Sequence, residues 1–545
     1  MREEKNKYDL ITGIAVTAVV SILVIIGMCF HEPWFDEAQA YLLARDASLR
    51  DILMYWTHYE GHPPLWHLLL RCATALGMSF ETAIKSVNFL FVEAVLLLIE
   101  FRSPFRRITK VIIPTSYFLM YQYSVTSRPY MMLTFFCLLA AMCYNERYEK
   151  PMRYCCSLLL MCISHSFGIA FAGGIVIADM LGESIRQRSV RKMAVRIISN
   201  KRLLLSYVML LAGALAMVAV IMPRSDTYAT SSNSGVHGFA FCYFMSWLHI
   251  PSDTLFTSFS SELMYMREET NPVNEVITAA VISLIIWILL FCIAKKRRMI
   301  AEAFLPYSFI AVLTSLHTLP HHYGIFLMYL LFMLWTATDK ERITLKEFAE
   351  PLEKAGLKAD LTKKIAIGGA AAFTAINLYW DGLSYYREIK YAYDPARSLA
   401  QWIKDNELED RKILTTWSEN DAYIVNASSV ASNAYFDRNI YYNLNYGLSF
   451  ISHKACSGDD AVNIKKEWLA MGEPDLMVCD TPQESSYICK DLGIDSDYIA
   501  LAYTGEGKRI FKDKIDDYNL YVMCTRETYK EIYGKDYEVS TYRNS

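Results

Sequence analysis

Apolar runs about as long as a bilayer-spanning helix fill the first 380 of the chain's 545 residues, and they constrain its fold more than any other feature. A helix that crosses the hydrocarbon core needs about 20 apolar residues, with about 17 tolerated. The first run, residues 10–30, is too long for the core of a signal peptide and has no small-residue cleavage site, so we predict an uncleaved anchor. The candidate spans are 10–30, 84–101, 111–126, 128–145, 153–168, 169–182, 203–222, 274–294, 299–317, 320–337 and 364–380, eleven in all.

The distribution of Lys and Arg predicts how these spans are oriented. Cytoplasmic connections of membrane proteins carry an excess of positive charge. The basic connections are 101–110, 186–202, 295–298 and 340–364. If they are cytoplasmic together with the N-terminus, every span alternates correctly, provided that residues 62–78 form a juxtamembrane helix and do not cross. The outer loops 31–83 and 223–273 then share the outer face of the cell membrane with the C-terminal end of the chain.

Residues 381–545 have the composition of a soluble domain. Helical stretches such as ARSLAQWIKDNEL and VNIKKEWLAMG alternate there with the short apolar stretches KILTTW, DLMVCD, YIALAY and NLYVMC. This alternation predicts a small α/β domain. We therefore divide the chain into a mainly α, polytopic transmembrane domain, 1–380, and an extracytoplasmic α/β domain, 381–545. The net charge of −3 indicates no nucleic-acid partner.

Cysteine and asparagine patterns restrict the function only slightly. Cys456, Cys479, Cys489 and Cys524 fall in the soluble domain, and none of them forms a CxxC pair. A zinc site is therefore not expected, whereas one or two disulfides can form if the domain lies outside the cell. Asn426 begins a glycosylation sequon, which is a short and weak match. The sequence contains no phosphate-cradling glycine loop, nucleophile elbow or HExxH motif.

Two adjacent carboxylates, Asp36 and Glu37, follow the first span within the stretch PWFDEAQAYLLARD. Acidic side chains in the first turn of a helix are favoured by the helix dipole, so the pair can simply mark a helix start. The alternative interpretation is chemical, because a partly desolvated carboxylate at a lipid–water boundary can act as general base towards a hydroxyl group. The residues alone leave both interpretations open.

Other polar residues gather in the connections that this topology places outside. In EGHPPLWHLLL the prolines predict an extended entry into a helix, and His62 and His67 can be interfacial anchors. Arg128 precedes a proline at a membrane surface, where it can either snorkel or pair with a phosphate. The remaining histidines on this face, which can be core side chains or ligands of a divalent metal, are His165, His317, His321 and His322. Clustering of ionisable groups on one face is expected of a site in a membrane protein.

Several of these stretches together resemble a known family. FDEAQAYLLARDASLRDIL, GHPPLWHLLL, YSVTSRPYMML, SHSFG and HHYGIFLMYLLF are similar to segments of family 39 of the GT-C membrane glycosyltransferases, which are relatives of protein O-mannosyltransferases and of the aminoarabinose transferase that modifies lipid A. The likeness covers roughly residues 10–340, and its most specific part is the acidic pair followed about 25 residues later by HPPL. The resemblance implies transfer of a sugar from a polyprenyl-phosphate sugar, within the membrane lipid, to an extracytoplasmic protein, glycolipid or wall polymer.

The resemblance also implies roles for individual residues. Asp36 would be the base at the acceptor hydroxyl, and Glu37 would support it or help to bind the acceptor or a metal. Arg128, with His321 and His322, would hold the donor phosphate. The substrate pocket would be lined by Tyr41, His62, Pro63, Pro64, Tyr130 and His165. No cofactor is certain, and a divalent metal, if one binds, would use Asp36, Glu37 and His165.

Two positions depart from the family's pattern. Thr126 stands where many relatives carry a glutamate two residues before the arginine, and His322 stands where they carry an arginine before the tyrosine of a late span. The second acidic group and one phosphate-holding cation are therefore open questions. His321 and His322 would replace that cation only if partly protonated, at an energetic cost and with a dependence on pH.

Two other functional classes stay open. A transporter or flippase for a lipid-linked sugar would share the spans and the outer cavity, but it should show inverted repeats or polar residues at mid-bilayer, and we find no clear repeat. A catalytically inactive relative that acts in cell-envelope assembly would keep the fold without the chemistry. The residues do not identify the sugar, the acceptor or the length of the lipid.

Overall fold

A computed structural model describes residues 2–227, 238–259, 272–340, 353, 358–415, 427–444, 448–451, 463 and 466–538. Within these residues the chain is mainly helical, and the strands lie in its C-terminal part. Asn426 of the sequon and Cys456 lie outside the described residues, as does most of the basic stretch 340–364.

Helices follow one another with short connections through the apolar part of the chain. They are α1 (Arg2–Phe30), α2 (Phe35–Asp46), α3 (Leu49–Asp51), α4 (Thr57–Glu60), α5 (Leu65–Ala75), α6 (Phe80–Leu97), α7 (Arg107–Ile112), α8 (Tyr130–Cys143), α9 (Pro151–Ser164), α10 (Ser166–Arg186), α11 (Val190–Ser199), α12 (Lys201–Ile221), α13 (Phe239–Leu248), α14 (Ile250–Leu255), α15 (Val273–Arg297), α16 (Ile300–Leu316), α17 (Gly324–Lys340) and α18 (Ala359–Lys390). Short π-helical segments cover Ile52–Trp56, Leu98–Arg102 and Phe118–Gln122, and 3-10 segments cover Ile113–Thr115, Tyr144–Glu146 and Pro320–Tyr323.

Several helices are long and apolar enough to cross a membrane. Among the described residues, five stretches meet both conditions: Tyr8–Phe30, Phe80–Arg102, Ser166–Arg186, Lys201–Ile221 and Val273–Arg297. Their outward faces are apolar too, since Leu205, Leu211 and Leu215 of α12 are each more than half exposed. Water penalises such a surface, whereas lipid chains do not. These features indicate a membrane protein.

Other predicted spans are shorter or less regular than the apolar runs suggested. Shorter apolar helices cover Tyr130–Glu146, Pro151–Ser164, Phe239–Leu248 and Ile300–Leu316. The predicted span 111–126 is not one continuous helix, because α7 ends at Ile112 and a 3-10 turn follows at Pro114. Proline removes a backbone donor, and the amide of Tyr117 donates instead to the side-chain oxygen of Asn377, a distant residue of α18, at 2.9 Å.

Helix α5 is a short element beside the first connection. It has 11 residues and is therefore about 16 Å long, roughly half the thickness of the hydrocarbon core. That residues 62–78 do not cross the membrane stays a prediction. Trp66, His67 and Leu70 are buried on α5, which packs against α2 and α6.

The predicted domain boundary at residue 380 falls inside a single helix and is corrected. Helix α18 continues from the apolar part to Lys390 without a break. The residues beyond Trp380 are polar in sequence, but Asp381, Ser384 and Glu388 are buried against the rest of the protein. Because these side chains pack against the rest of the protein, the helix does not stop where the apolar run ends. The C-terminal domain therefore begins after Lys390.

The C-terminal domain contains one mixed sheet with helices around it. Its elements are α19 (Ala396–Asp405), β1 (Ile413–Thr415), α20 (Ala427–Asn433), β2 (Leu476–Cys479), α21 (Glu484–Leu492), β3 (Ala500–Phe511), β4 (Lys514–Cys524) and α22 (Arg526–Tyr533). The strand order is β1-β2-β4-β3, with β1 and β2 parallel and the other neighbours antiparallel. Each of the four predicted apolar stretches contributes residues to a strand. Among the described cysteines of this domain, Cys479, Cys489 and Cys524 are free thiols.

The β3–β4 hairpin holds the C-terminal domain against the helices. Phe511, at the end of β3, packs on Tyr117 and Phe118 with ring centroids 5.6 and 6.3 Å away. The amide of Lys512 donates to the Tyr117 hydroxyl at 2.9 Å, and its ammonium group donates to the carbonyl of Thr257 at 2.6 Å. The hairpin therefore lies beside the connections that carry the candidate residues.

Candidate functional site

Helix α2 carries Asp36 and Glu37 in its first turn, with Trp34 as the residue before the helix. Successive side chains of an α-helix point about 100° apart, so the two carboxylates face different surroundings. Glu37 reaches back and accepts a hydrogen bond from the Trp34 amide at 3.2 Å, which stabilises the start of the helix. The helix-start interpretation therefore applies to Glu37.

Glu37 is fully buried in a network of polar side chains. Its Oε1 accepts a hydrogen bond from the Ser127 amide at 2.6 Å, and its Oε2 lies 2.9 Å from Nε2 of His31. The other ring nitrogen of His31 lies 2.9 Å from Oε1 of Glu388. The same Glu388 oxygen accepts a hydrogen bond from the Tyr121 hydroxyl at 2.6 Å. Both oxygens of Glu37 are thus engaged by the protein itself.

His31 carries a positive charge in this network. Burial by itself lowers the pKa of His31, but the carboxylates of Glu37 and Glu388 outweigh burial and raise the pKa to about 10. The ring lies just beyond the apolar stretch Tyr8–Phe30. Because His31 is fully buried and both oxygens of Glu37 are bonded within the protein, we assign His31, Glu37 and Glu388 to the scaffold, where only Oε2 of Glu388 has no hydrogen-bond partner among the described residues.

Asp36 points away from this network and is partly open to solvent. Its Oδ2 lies 3.2 Å from Nη1 of Arg128, and the two side chains are 24% and 12% exposed. Arg128 lies in the connection before α8, where Pro129 immediately precedes the first helical residue. The structure thus brings together two residues that were predicted to share a site.

Behind this ion pair, imidazole rings surround Tyr130. The ring of His165 lies 5.0 Å from that of Tyr130 and 4.6 Å from that of His62, centroid to centroid. His321 and His322 lie 5.9 and 6.1 Å from Tyr130. We call these four histidines the histidine group. Predicted site residues from separate connections therefore meet in one place.

Several buried polar atoms of this region have no hydrogen-bond partner within the described part of the chain. They are Nε1 of Trp34, Nδ1 of His62, Oγ1 of Thr126, Oγ of Ser127, Nε of Arg128 and Nε2 of His165. A buried polar atom without a partner is unfavourable, and in native proteins it commonly marks a place for water or a ligand. The region is therefore suited to bind a polar molecule.

Burial keeps the histidine group neutral. It lowers the pKa of His62 to about 3, with a further contribution from Arg128, and that of His67 on α5 to about 4. In the connection between α16 and α17, outside the helices, burial lowers the pKa of His321 and His322 well below the ordinary value. Neutral imidazoles donate and accept hydrogen bonds but supply no positive charge. Burial therefore disfavours the expectation that these two histidines replace a missing cation.

Tyr41, predicted to line the pocket, lies apart from these rings. Its ring packs on Phe80 with centroids 4.9 Å apart, and the guanidinium of Arg45 lies 5.9 Å above it. Arg45 donates a hydrogen bond to the carbonyl of Phe436 in the C-terminal domain. Tyr41 thus occupies the part of α2 that packs on this domain.

The metal site considered from the sequence is not assembled by the described side chains. Among them, no group of three or more His, Cys, Asp or Glu residues is arranged to hold a metal ion. Both oxygens of Glu37 are already bonded within the protein. Pro63 and Pro64 are buried at the start of α5, next to His62. They shape the wall of the region and offer no metal ligand.

Two charged residues near Asp36 were not singled out in the sequence. Arg509 of β3 lies 4.6 Å over the ring of Trp34, and Asp36 is among the charges that act on it. Glu60 accepts a hydrogen bond from Gln39 at 2.8 Å, and its negative charge acts on the guanidinium of Arg128. Glu60 could have been found, since it opens the stretch EGHPPL. No motif surrounds Arg509.

Comparisons with known proteins add no family assignment. No protein-family model matches the chain, and a search of curated proteins returns no significant match. The resemblance to the GT-C glycosyltransferases therefore rests on the stretches quoted above, and the activity that it implies is a proposal.

Proposed function

We propose that this chain is an integral-membrane glycosyltransferase that moves a sugar from a polyprenyl-phosphate sugar to an acceptor at the outer face of the membrane. One observation carries the proposal: Asp36, partly exposed and paired with Arg128, lies at the edge of a buried group of rings that holds unpartnered polar atoms. The reaction needs a carboxylate that takes a proton and a guanidinium that binds a phosphate, and these two residues are of that kind.

In the proposed reaction, the oxygen of an acceptor hydroxyl attacks the anomeric carbon of the donor, and the bond from that carbon to the phosphate oxygen breaks. The hydroxyl proton goes to Asp36. The bonding electron pair leaves with the polyprenyl phosphate, which gains one negative charge. Protonation of Asp36 releases Arg128, whose planar fork fits two oxygens of a phosphate. The neutral histidine group donates and accepts hydrogen bonds at the sugar hydroxyls.

We infer a cytoplasmic N-terminus, eleven crossings and an external C-terminal domain. The support is positional, because residues of four connections meet at one end of the helices, beside the C-terminal domain: Asp36, Arg128, His165 and His321. Helix α10 starts next to His165 and ends at Arg186, about 30 Å away at 1.5 Å per residue. There Arg186 donates to Glu302 at 2.6 Å, next to the basic connection 295–298. The basic connections 186–202 and 295–298 thus lie at the end of α10 opposite to the site.

An Asp36→Asn variant tests the proposal in nanodiscs supplied with radiolabelled polyprenyl-phosphate sugars and membrane acceptors. A general base contributes about 10² to 10⁴ in rate, so transfer should fall by that factor. Asn keeps the size of Asp and is favourable at a helix start, so the melting temperature should change little. Asp51→Asn is the matched control, because the hydrogen bonds of Asp51 to other side chains of the described chain are local: Ser48 donates to it at 2.7 Å on an exposed turn. It should transfer at the wild-type rate.

Three outcomes separate the alternatives. Near wild-type transfer by Asp36→Asn would exclude Asp36 as the base. Transfer from a nucleotide sugar, with no lipid-linked donor present, would contradict the proposed donor. Movement of the lipid-linked sugar between leaflets without any transfer would favour the transporter.

A further inference from the structure

Arg509 reaches the candidate site from the C-terminal domain. Its guanidinium contacts two aromatic rings, 3.7 Å from the centroid of Tyr518 and 4.6 Å from that of Trp34. Tyr518 belongs to β4, whereas Trp34 is the residue before α2 and stands two positions before Asp36. Cation–π contacts of this kind orient an arginine without using its N–H donors. The sheet therefore delivers a cation to the edge of the site.

Part of the hydrogen-bonding capacity of this guanidinium is unused, although Asp394 and Tyr518 both interact with it. Its Nη2 lies 3.5 Å from Oδ2 of Asp394, which is an ion-pair distance, and its Nε and Nη2 have no hydrogen-bond partner within the described part of the chain. Oδ1 of Asp394 accepts instead from the Ala396 amide at 3.0 Å. An arginine has five N–H donors in a planar fork, and 26% of the Arg509 side chain is exposed. The group is held in place but not saturated.

Electrostatic interactions place Arg509 and Asp36 in one polar region. Burial lowers the pKa of Arg509, but nearby anionic groups, Asp394 first and Asp36 among them, outweigh burial, so the guanidinium stays charged. The charge of Arg509 also acts on His321. The ring of Trp34 is close to both Arg509 and His321, and its centroid lies 6.2 Å from that of the His321 imidazole.

The hairpin positions Arg509 firmly. Side chains two apart on a strand share one face, and Phe511, on the same face as Arg509, packs on Tyr117. Arg387 of α18 donates to the carbonyls of Asp513 and Lys514, both at 2.9 Å, and so clamps the turn of the hairpin. The position of the guanidinium is therefore set by contacts with the helical part.

Among the described residues that contact the open side of α2, Arg509 is the second cation, after Arg128, that the proposed reaction can use. Arg128 is paired with Asp36 at rest, and the histidine group is neutral, yet the leaving phosphate gains a negative charge. Positioned cations are the usual means of stabilising charge that develops in a transition state. We propose that Arg509 binds the donor phosphate together with Arg128, so that the C-terminal domain completes the binding site; this inference rests on the proposed function.

Binding of radiolabelled undecaprenyl monophosphate to the full-length protein in nanodiscs tests the inference. Arg509→Met should weaken binding about ten- to a hundredfold, as expected for the loss of hydrogen bonds to a charged group. Arg509→Lys keeps the charge but not the fork and should fall between this variant and the wild type. Lys508→Met is the matched control, because it removes a cation from the opposite face of β3, where Lys508 pairs with Asp517. It should bind like the wild type.

Protection from phenylglyoxal, an arginine reagent, gives a second measurement on the unaltered chain and decides the question if Arg509→Met does not fold. Bound undecaprenyl monophosphate should slow modification of Arg509, read by mass spectrometry of the peptides. It should not slow modification of Arg438, whose side chain is 61% exposed. Equal modification of Arg509 with and without the lipid would overturn the inference, as would wild-type affinity in both Arg509 variants.

Failure of this inference and failure of the proposed function give different patterns. If Arg128→Met loses the lipid phosphate while both Arg509 variants keep it, Arg509 is not a ligand and the transferase proposal stands. If the wild type binds no polyprenyl phosphate at all, both are wrong.

Discussion

Two polar clusters flank the first turn of α2. The closed cluster comprises His31, Glu37, Tyr121 and Glu388. The open cluster comprises Asp36, Arg128 and Arg509. The side chains of His31 and Glu37 are 0% exposed and are bonded to each other. By contrast, the three side chains of the open cluster are 12–26% exposed, and both arginines keep unpartnered buried nitrogen donors in the described chain, whereas the closed cluster keeps only an acceptor, Oε2 of Glu388.

The contrast shows how two adjacent carboxylates come to serve different purposes. A buried polar network whose members satisfy one another fixes the relative positions of distant segments, because breaking it leaves an unpaired charge inside the protein. A cluster of side chains in which the donors outnumber the acceptors gains stability only when a ligand supplies the missing acceptors. Glu37 lies in a cluster of the first kind and Asp36 in a cluster of the second kind, although the two residues are neighbours in sequence.

The largest effect should come from opening the closed cluster. Glu37→Gln replaces one of the two acceptor oxygens with an NH₂ group. The remaining oxygen can accept from the Ser127 amide or from His31, but not from both in the present geometry. Removing one partner of a buried ion pair costs about 3–5 kcal/mol, so the melting temperature in detergent should fall sharply. Glu275→Gln, an acidic residue in the first turn of α15, is the control and should melt like the wild type. If Glu37→Gln melts normally but loses transfer, Glu37 belongs to the reaction and the two clusters are not distinct.

Removing the cation of the open cluster should affect binding more than folding. Arg128→Met should weaken binding of undecaprenyl monophosphate about ten- to a hundredfold, with a modest change in melting temperature. The buried Arg147 is the matched comparison, since it donates to Asp179 at 2.6 Å and is 5% exposed. Arg147→Met should lower the melting temperature without a specific effect on the lipid phosphate. The opposite result for the two arginines would reverse the assignment.

Local sequence patterns predicted the long apolar helices of this fold, because the type of such a helix depends on its own composition. Helices α12 and α15 are apolar between their charged ends, so their type does not depend on the rest of the chain. The break in 111–126 begins at Pro114, which is visible in the sequence, but the contact that satisfies the Tyr117 amide beyond it comes from distant Asn377, and no local pattern encodes that contact. The continuation of α18 past Trp380 likewise depends on distant contacts, those of Glu388 with His31 and Tyr121 and those of Arg387 with the hairpin. These features could not be inferred before the tertiary contacts were known.

The candidate site divides in the same way. The acidic pair, HPPL and the stretch around Arg128 are contiguous motifs, and they drew attention to connections whose residues meet in the structure. The separate roles of Asp36 and Glu37 depend on Glu388, far along the chain, so a sequence alone could not assign them. Arg509 is harder still to find, because a lone arginine on a strand is ordinary until a sheet places it over Trp34.

Alkaline pH should weaken the closed cluster. His31 has a pKa of about 10 in the folded protein against an ordinary 6.5, so its stabilising charge is fully present below pH 6.5 and is lost as the pH rises through about 10. The difference in melting temperature between the wild type and His31→Gln should therefore shrink from pH 6 to pH 10. The comparison with His31→Gln is needed because the wild-type melting temperature alone also reflects buried Lys512. Burial lowers the pKa of Lys512 to about 8, so this group changes the stability with pH in the opposite direction to His31. A constant difference would show that His31 is neutral in the folded protein.

The smallest effect is expected at a residue that the resemblance placed in the pocket. Tyr41 packs on Phe80 and under Arg45, away from the open cluster, so Tyr41→Phe should change the KM for the lipid-linked donor less than twofold. Tyr130→Phe is the matched change, because Tyr130 lies among the imidazoles of the histidine group, and it should raise that KM several-fold. Both variants keep the ring, so packing is preserved and only the hydroxyl is tested. If Tyr41→Phe has the larger effect, the acceptor or the sugar reaches the side of α2 that faces the C-terminal domain, and the open cluster extends further round the helix than its contacts indicate.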